Sequence, residues 1–519
     1  MTKKKSNILK ITIATIVLCL TALLGTYLYA KHTITQHLQY NLPPHIKISY
    51  NSININILLG NITLNNIVFK ELTKDSSKIK TLLKAQKIAV KNIGYTNLLI
   101  HKKLGANKLT IYNPKLTHNT QLNTVEKSNK TKKHGILAKP ITIAEFKTTN
   151  GTVNFMTNKI DTTAAAKRIF ISLKGVTINT NSTSNKLPIT YKNSSISAQK
   201  LRANLGQFEE LLVDELDVKN ESFTVKNLLL NTKYTKKELS QKIKTERDYV
   251  KLKVPSIHIN NCNYSFAGNK ILIGIANFTI HKPNLEVYRD KLIADDFSYK
   301  PMYSKMLRDL PFNLAITRLI INQGKIAYQE KLEQNITPEK LTFTNLNATI
   351  SNLQNHKNIK TVVHTNSLLM GKTPLELNWS FNTLKKTDFF KAWGNFKNLD
   401  IPSINPFLNT NLRVKAEGDM QRMYFTVSGN KQTALGDLKI NYNNFKFKVL
   451  KKDRLGVNKL LTKLGNLLIK KDSKQNPTNF RYGEIEVERN TTKSFFNYLW
   501  ININNGLLDA LTGKGTKKE

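Results

Sequence analysis

Along most of the chain, hydrophobic and polar residues alternate with a period of two. Ile53, Ile55 and Ile57 are separated by Asn54 and Asn56; Leu375, Leu377, Trp379 and Phe381 by Glu376, Asn378 and Ser380. Leu438, Ile440 and Tyr442 alternate likewise, Asn443 and Asn444 intervene, and Phe445, Phe447 and Val449 resume around Lys446 and Lys448. Successive strand side chains point to opposite faces, so the pattern predicts strands with one apolar and one polar face. Strands buried on both faces would be apolar throughout, so the expectation is a mostly antiparallel sheet.

The strands also repeat. Ile141 and Ile143, then Phe146, Gly151, Val153 and Phe155, recur at identical offsets as Leu314 and Ile316, then Leu319, Gly324, Ile326 and Tyr328. Leu252, Val254, Ile257, Cys262, Tyr264 and Phe266 make a third copy, with Cys262 in the glycine's place. Each copy reads as strand, short turn, strand. A smaller motif, Ile-x-x-Pro-x-Leu, occurs around Pro114 (Ile111 to Leu116) and around Pro283 (Ile280 to Leu285). Irregular spacing between copies excludes a strict-period solenoid.

Helical spacing is confined to a few segments. Residues 234–247 and 303–310 read as short helices between strands. Residues 453–471 place Val457, Leu460, Leu461, Leu464, Leu467 and Leu468 on one face; residues 493–511 do the same with Phe496, Leu499, Trp500, Ile503, Leu507 and Leu511. Either stretch can pack on the sheet or lie in a membrane interface, because basic and aromatic residues flank the apolar side. Residues 119–139 lack periodicity and read as a mobile polar loop.

The N-terminus stands apart. Lys3, Lys4, Lys5 and Lys10 precede Ile11–Ala30, a run without a charged residue. As a helix that run is about 30 Å long, the thickness of a bilayer's hydrocarbon core. The basic cluster before it predicts that the remainder lies outside the cytoplasm. A cleaved signal peptide has a shorter apolar stretch and a small-x-small site, for which Leu28 before Ala30 is a poor match. The expectation is an uncleaved single-pass anchor.

Composition adds limits. Of 519 residues 40% are hydrophobic, too many for a disordered chain. Lys+Arg number 80 against 35 Asp+Glu, a formal charge of +45. The lysines are spread rather than gathered into a stripe, and the anchor keeps the body away from nucleic acid. The charge is therefore read as a solvated surface that also attracts anionic lipid headgroups, with no nucleic-acid partner. Cys19 lies in the apolar run and Cys262 is alone, which excludes an internal disulfide framework and a Cys-based zinc site.

Catalytic signatures are missing: there is no HExxH, GxSxG, GxxxxGK[ST] or GxGxxG. His32 and His37 are five apart, wrong for a shared helical face. Glu209, Glu210, Asp214, Glu215 and the Asp295-Asp296 pair are acidic clusters without a recognisable acid/base partner. A reactive Cys262 would need an electropositive setting. No enzymatic activity, cofactor or metal is expected.

Taken together, the lone anchor, the amphipathic β-body, the Ile-x-x-Pro-x-Leu strands and the block from Gly436 to Tyr442 resemble the AsmA-like family of bacterial envelope proteins, which are bridge-like lipid-transfer proteins. The stretch from Ile53 to Leu64, a short alternating strand before Gly60, is similar to that family's opening hairpin. The resemblance implies a mostly β fold, an elongated, twisted antiparallel sheet curled into a groove, with a few short helices and C-terminal amphipathic helices. The chain then reads as an anchor (1–30), an N-terminal β-hairpin region (31–118), the polar loop (119–139), a repetitive groove body (140–450) and C-terminal helices with a closing strand (451–519). It implies an inner-membrane protein, mostly periplasmic, that passes phospholipid between membranes or maintains the outer one. Phospholipids, the inner membrane and outer-membrane components are the implied partners. Candidate groove residues are Ile53, Ile55, Ile57, Leu252, Val254, Leu375, Leu377 and Trp379. In the rival reading, a non-enzymatic envelope scaffold or assembly protein, the same residues fill an ordinary core. Alternation alone does not separate the two.

Overall fold

The computed structural model describes residues 2–39, 42–73, 75–101, 103–122, 140–157, 161–178, 189–267, 270–451, 470, 472–474, 478–513 and 515. The chain is mostly strand in twisted, mixed sheet structure, with few helices. It divides into two units, Met1–Leu205 with Leu211–Asn220, and Gly206–Glu210 with Glu221–Glu519. The first contains α1 (Thr2–Gln39), β1 (Ile46–Ser49), β2 (Ser52–Asn56), β3 (Asn61–Leu72), β4 (Ile79–Ile93), α2 (Tyr95–Leu99), β5 (Gly105–Tyr112), β6 (Lys115–Asn119), β7 (Ile141–Met156), β8 (Thr162–Ile178), β9 (Ile189–Thr190) and β10 (Asn193–Leu205). The division falls at β11 (Glu209–Lys219). The second contains β12 (Ser222–Thr232), α3 (Lys236–Lys242), β13 (Asp248–Ala267), β14 (Lys270–His281), β15 (Asn284–Asp290), α4 (Tyr303–Arg308), β16 (Asn313–Lys331), β17 (Leu341–Gln354), β18 (Lys360–Leu369), β19 (Thr373–Asn382) and β20 (Phe390–Lys397). It ends with α5 (Ile401–Leu412), β21 (Val414–Gly429), β22 (Thr433–Val449), β23 (Arg481–Glu488) and α6 (Phe495–Thr512).

Both units use one plan. β3 pairs antiparallel with β4, β4 pairs antiparallel with both β5 and β6, these run parallel to β7, and β7 returns to an antiparallel partner, β8. The second unit repeats this with β12, β13, β14 and β15, β16 and β17. The sheet structure is therefore mixed: most pairings are antiparallel, as the alternation suggested, but β5 and β6 run parallel to β7, and β14 and β15 to β16. The Ile-x-x-Pro-x-Leu segments are the parallel neighbours. Proline lacks an N–H and interrupts the ladder, so each segment splits into two strands, while the Pro114 and Pro283 carbonyls still accept from Thr152 N (2.8 Å) and Lys325 N (2.7 Å). A parallel neighbour requires a crossover rather than a hairpin. In the second unit residues 291–312, with α4, form it; in the first it runs through the polar loop, of which 123–139 lie outside the described residues.

The repeated copies are not strand–turn–strand units. Each is one long strand, Ile141–Met156, Asn313–Lys331 or Asp248–Ala267, and the register slips at Gly151 and Gly324 in the pairing with β8 and β17. The third copy also occupies a different place. Cys262 N donates to Glu221 O (2.8 Å) as Ile93 N donates to Gly60 O (2.9 Å), each just after an asparagine at positive φ, Asn261 (+54°) and Asn92 (+53°). β13 is thus the counterpart of β4, and Cys262 stands where the first unit has Ile93. Matching apolar offsets arose because each of these strands crosses a bulge.

Those bulges fall in line. In the first unit Asn66, Asn113, Asn150, Arg168 and Lys200 have φ between +49° and +51°. The registers set Asn66 opposite Gln86, and Asn113 and Pro114 opposite Asn150 and Gly151. Asn227, Lys282, Gln323 and Asn345, with φ of +48° to +53°, mark the equivalent line in the second unit. A bulge adds one residue to one strand and so reverses which parity faces which side. The sequence reverses parity at the same points: Ile62 and Leu64 give way to Ile67 and Phe69, Ile88 and Val90 to Ala85 and Leu83. The Asn443-Asn444 break is the same device, with Asn444 at φ +50° inside a continuous β22. Asparagine tolerates the left-handed region, and along the first line Asn113 Nδ2 donates to Gln86 Oε1 (2.5 Å) and Asn150 Nδ2 to Asn113 Oδ1 (3.2 Å).

Helices α4 and α6 fall where helical spacing placed them, and β2, Gly60 (φ +61°) and β3 make the expected hairpin. Of residues 234–247 only Lys236–Lys242 is helical, capped by Thr235, whose Oγ1 accepts from Glu238 N. The stretch 453–471 lies largely outside the described residues. Helix α5 was not foreseen, because Pro402, Pro406 and three asparagines are poor helix formers. Asp400 caps it through Ser403 N (3.1 Å), and Asn405 bonds both the N–H and the carbonyl of Ala416 (2.9 and 3.0 Å). The run Ile11–Ala30 lies within α1. Several of its side chains are not described; Leu18, Leu20, Leu24 and Leu28 are exposed. Among the described residues no helix is long and apolar enough to cross a membrane.

Substituting the bulge residue tests this account. Asn150→Val should cost about 1–2 kcal/mol, because a β-branched residue is strained at positive φ, whereas Asn150→Gly should stay within about 1 kcal/mol of the parent. Equilibrium denaturation of the two variants compares them directly.

Candidate functional site: the apolar face

Register pairs stand on the same face, so they trace that face strand by strand. In the first unit one row runs Ile53, Leu64, Ile88, Ile111, Thr148, Ile171, Ile196. A neighbouring row runs Ile55, Ile62, Val90, Leu109, Phe146, Leu173. Beyond the bulge line Phe69, Leu83, Leu116 and Val153 continue the face. The opposite side reads Asn54, Thr63, Ala89, Thr110, Lys147, Ser172, Ser195. In the second unit Phe223, Ile259, Phe278, Leu319, Ile350, Val363, Trp379, Ala392, Val427, Gly436 and Ile485 form one unbroken row. Its polar counterpart includes Thr224, His258, Thr279, Thr349, His364 and Asn378.

Burial divides the face. Leu64, Ile88, Ile111, Ile171 and Ile196 are only half-buried and Phe155 is exposed; so too Phe223, Ile259, Phe278, Leu319 and Ile350 stay half-buried. From Val363 onward the row closes: Val363 is 2% exposed, Ala392 and Val427 0%. There Phe390, Phe425, Leu438, Ile440 and Ile485 pack against Phe495, Tyr498, Leu499 and Leu511 of α6. The helix approaches so closely that a Cβ on Gly483 would stand 2.0 Å from Gly506 O. The stripe read from spacing is rotated: Leu499 and Leu511 are buried, but Phe496 and Trp500 are half exposed, and Phe495 and Tyr498 take the core positions.

The candidate groove residues distribute accordingly. Ile53 and Ile55 lie on the apolar face of the first unit, and Leu252 and Val254 on that of the second, beside Leu230 and Leu228. Ile57 lies outside β2, in the turn where its carbonyl accepts from Gly60 N and Tyr95 Oη. Leu375, Leu377 and Trp379 pack at the margin of the helix-covered core, with Trp379 ring centroids 6.2 Å from Phe495 and Phe496. Spacing within single strands did not reveal Ile88, Ile111, Ile171 or Ile196; the parity reversals that carry them onto the face were the available signal.

A charged knot lies at the end of that face, where Asp248 and Arg289 continue the parity of Leu252 and Leu285. Burial pushes Glu246 up, but the ammonium groups of Lys291 (2.6 Å) and Lys493 (3.2 Å) outweigh it and hold the carboxyl below its usual range. Arg289 adds a bidentate pair to Asp248 (2.7 and 2.8 Å). Lys493 precedes the Ser494 cap of α6, so this knot ties the covering helix to β13 and to the loop after β15. The acidic clusters are likewise partnered: Glu209 with Arg247, Glu210 with Asn231, Asp295 with Lys291 and Lys493. Burial pushes the Cys262 thiol up, opposite to what a reactive thiolate requires. No group of three or more potential metal ligands occurs among the described residues.

No protein-family model matches the chain, and no curated protein matches its sequence.

Glu246→Ala should destabilise the second unit by about 1–3 kcal/mol, since it removes the buried carboxylate shared by Lys291 and Lys493 and leaves both lysines only the more exposed Asp295. A carboxyl held below its unfolded value stabilises above the ordinary carboxylate range and loses that contribution as pH falls through its folded value. The parent's advantage over the variant should therefore shrink on acidification, as denaturation at a series of pH values would show.

Proposed function

We propose that the chain is held in a membrane by α1 and binds the acyl chains of phospholipids along the open part of its apolar face. The observation that carries this reading is the row structure: apolar residues share one face across successive strands, stay half-buried, and are backed by a polar face. Contiguous apolar surface of this kind marks a binding surface rather than an ordinary exterior. Each methylene withdrawn from water contributes about 0.8 kcal/mol, so an acyl chain lying across several strands would be held without a closed pocket. No nucleotide-binding motif is present to drive movement, and the lipid would slide passively. The exposed leucines of α1 and the charge-free run support the anchor. The pattern resemblance to AsmA-like proteins supports a periplasmic body serving transfer between, or maintenance of, bacterial envelope membranes. The scaffold reading draws on the dry core of β18–β23, which is packed like any interior.

A photocrosslinking amino acid at Ile171, on the apolar face, should capture phospholipid in cells, and the same probe at the adjacent Ser172 should not. Equal capture at both sites, or none at either, would contradict the assignment.

A further inference from the structure

The polar face of the second unit carries a basin that acyl binding leaves unused. It is an open depression of ≈ 290 Å³ whose polar lining comes mainly from Asn345, Asn347, Asn366, Glu376, Asn395 and Lys397, beside the apolar Leu368, Pro374 and Leu375. Its origin is the last bulge of the line. Between Thr344 and Asn347 the pairing of β17 with β18 slips, with Asn345 at φ +48°, while β18, β19 and β20 continue in unbroken register. Asn347, Asn366, Glu376 and Asn395 consequently stand in one row across four strands, about 4.8 Å apart.

The row is held in place. Glu376 accepts from Asn378 Nδ2 and Asn395 Nδ2, each at 2.8 Å. Asn378 is 2% exposed, and its Oδ1 lies 2.8 Å from His364 Nδ1. The two amides hold the Glu376 carboxyl below its usual range, so it is an ionised acceptor. The side chain of exposed Asn366 has no hydrogen bond among the described residues, which leaves its amide for a ligand. Half-buried Trp393 lies two residues before Asn395 on the same face, and Tyr424 stands opposite Asn395.

This set of groups suits one chemistry. Asn347 is held by Asn345 and Gln323, so the Asn366 amide, the Asn395 Oδ1 and the remaining lone pairs of Glu376 are the donors and acceptors on offer; Lys397 balances the one negative charge, and aromatic rings flank the row. A phosphate would call for several cations, and an acyl chain for no amides. Adjacent ring hydroxyls, each both donor and acceptor, match the row, while their C–H faces can pack on an aromatic ring. We propose that this basin is a saccharide-binding site, on the side of the sheet opposite the acyl-binding face and independent of it.

The test uses the full chain in a sugar-free detergent, with hexamers of β-1,4-linked N-acetylglucosamine, β-1,4-linked glucose and α-1,4-linked glucose as probes. Saturation-transfer NMR and calorimetry should show at least one binding with a dissociation constant on the order of 1 mM. Glu376→Gln and Asn366→Ala should each weaken it about tenfold. Asn366 is exposed and unpartnered, so its variant decides the matter even where Glu376→Gln perturbs folding. Failure of all three hexamers to bind below about 10 mM, or parent-like affinity in Asn366→Ala, would overturn the proposal.

Discussion

The strict alternation of faces along a strand is the constraint on which the rest depends. A one-residue slip sends every later side chain to the other side, and the strands here are long, up to 20 residues in β13. Where the strands cross the line of positive-φ residues their apolar residues change parity, and the register slips there in the β7–β8, β8–β10, β16–β17 and β17–β18 pairings. The slip in the backbone and the slip in the sequence cancel, so one face remains apolar on both sides of the line. Asparagine serves the line twice, by accepting positive φ and by hydrogen bonding from strand to strand, as Asn113 and Asn150 do.

The same constraint gives the two proline motifs their role. Pro114 and Pro283 occupy the line in the strands with a parallel neighbour, where a missing N–H is tolerated because the ladder is already interrupted. Around them each unit builds antiparallel, parallel and antiparallel pairings in the same sequence. What differs is the covering. In the second unit α6 lies on β22 and β23, with Gly483 and Gly506 allowing close approach and the Glu246 knot fixing the helix entry. In the first unit the central rows stay half-buried. Acyl binding is proposed for the half-buried rows within each unit taken by itself.

Much of this was legible in the sequence. Period-two alternation identified the strands, and the parity change at Asn443-Asn444 was visible without coordinates. Helices α4 and α6 and the β2–β3 hairpin also followed from local spacing. Parallel pairing did not, because alternation is set by one-sided burial and is the same for either strand direction. Nor did the place of the third repeat, since β4, β7, β13 and β16 all cross bulges and share apolar offsets. The partition of Leu375, Leu377 and Trp379 into the covered region depends on α6, more than a hundred residues later. Local patterns carry no information about which face a distant helix will cover.

The central claim is that the half-buried rows hold acyl chains. Native mass spectrometry with lipid extraction, on the full chain purified in a mild detergent and compared with an Ile111→Asp variant, addresses it most directly. The account predicts co-purifying phospholipid on the parent and a clear loss of it on the folded variant, because a carboxylate in the central row makes acyl contact there unfavourable. A folded, monodisperse parent free of phospholipid, or a variant that retains as much as the parent, would contradict it.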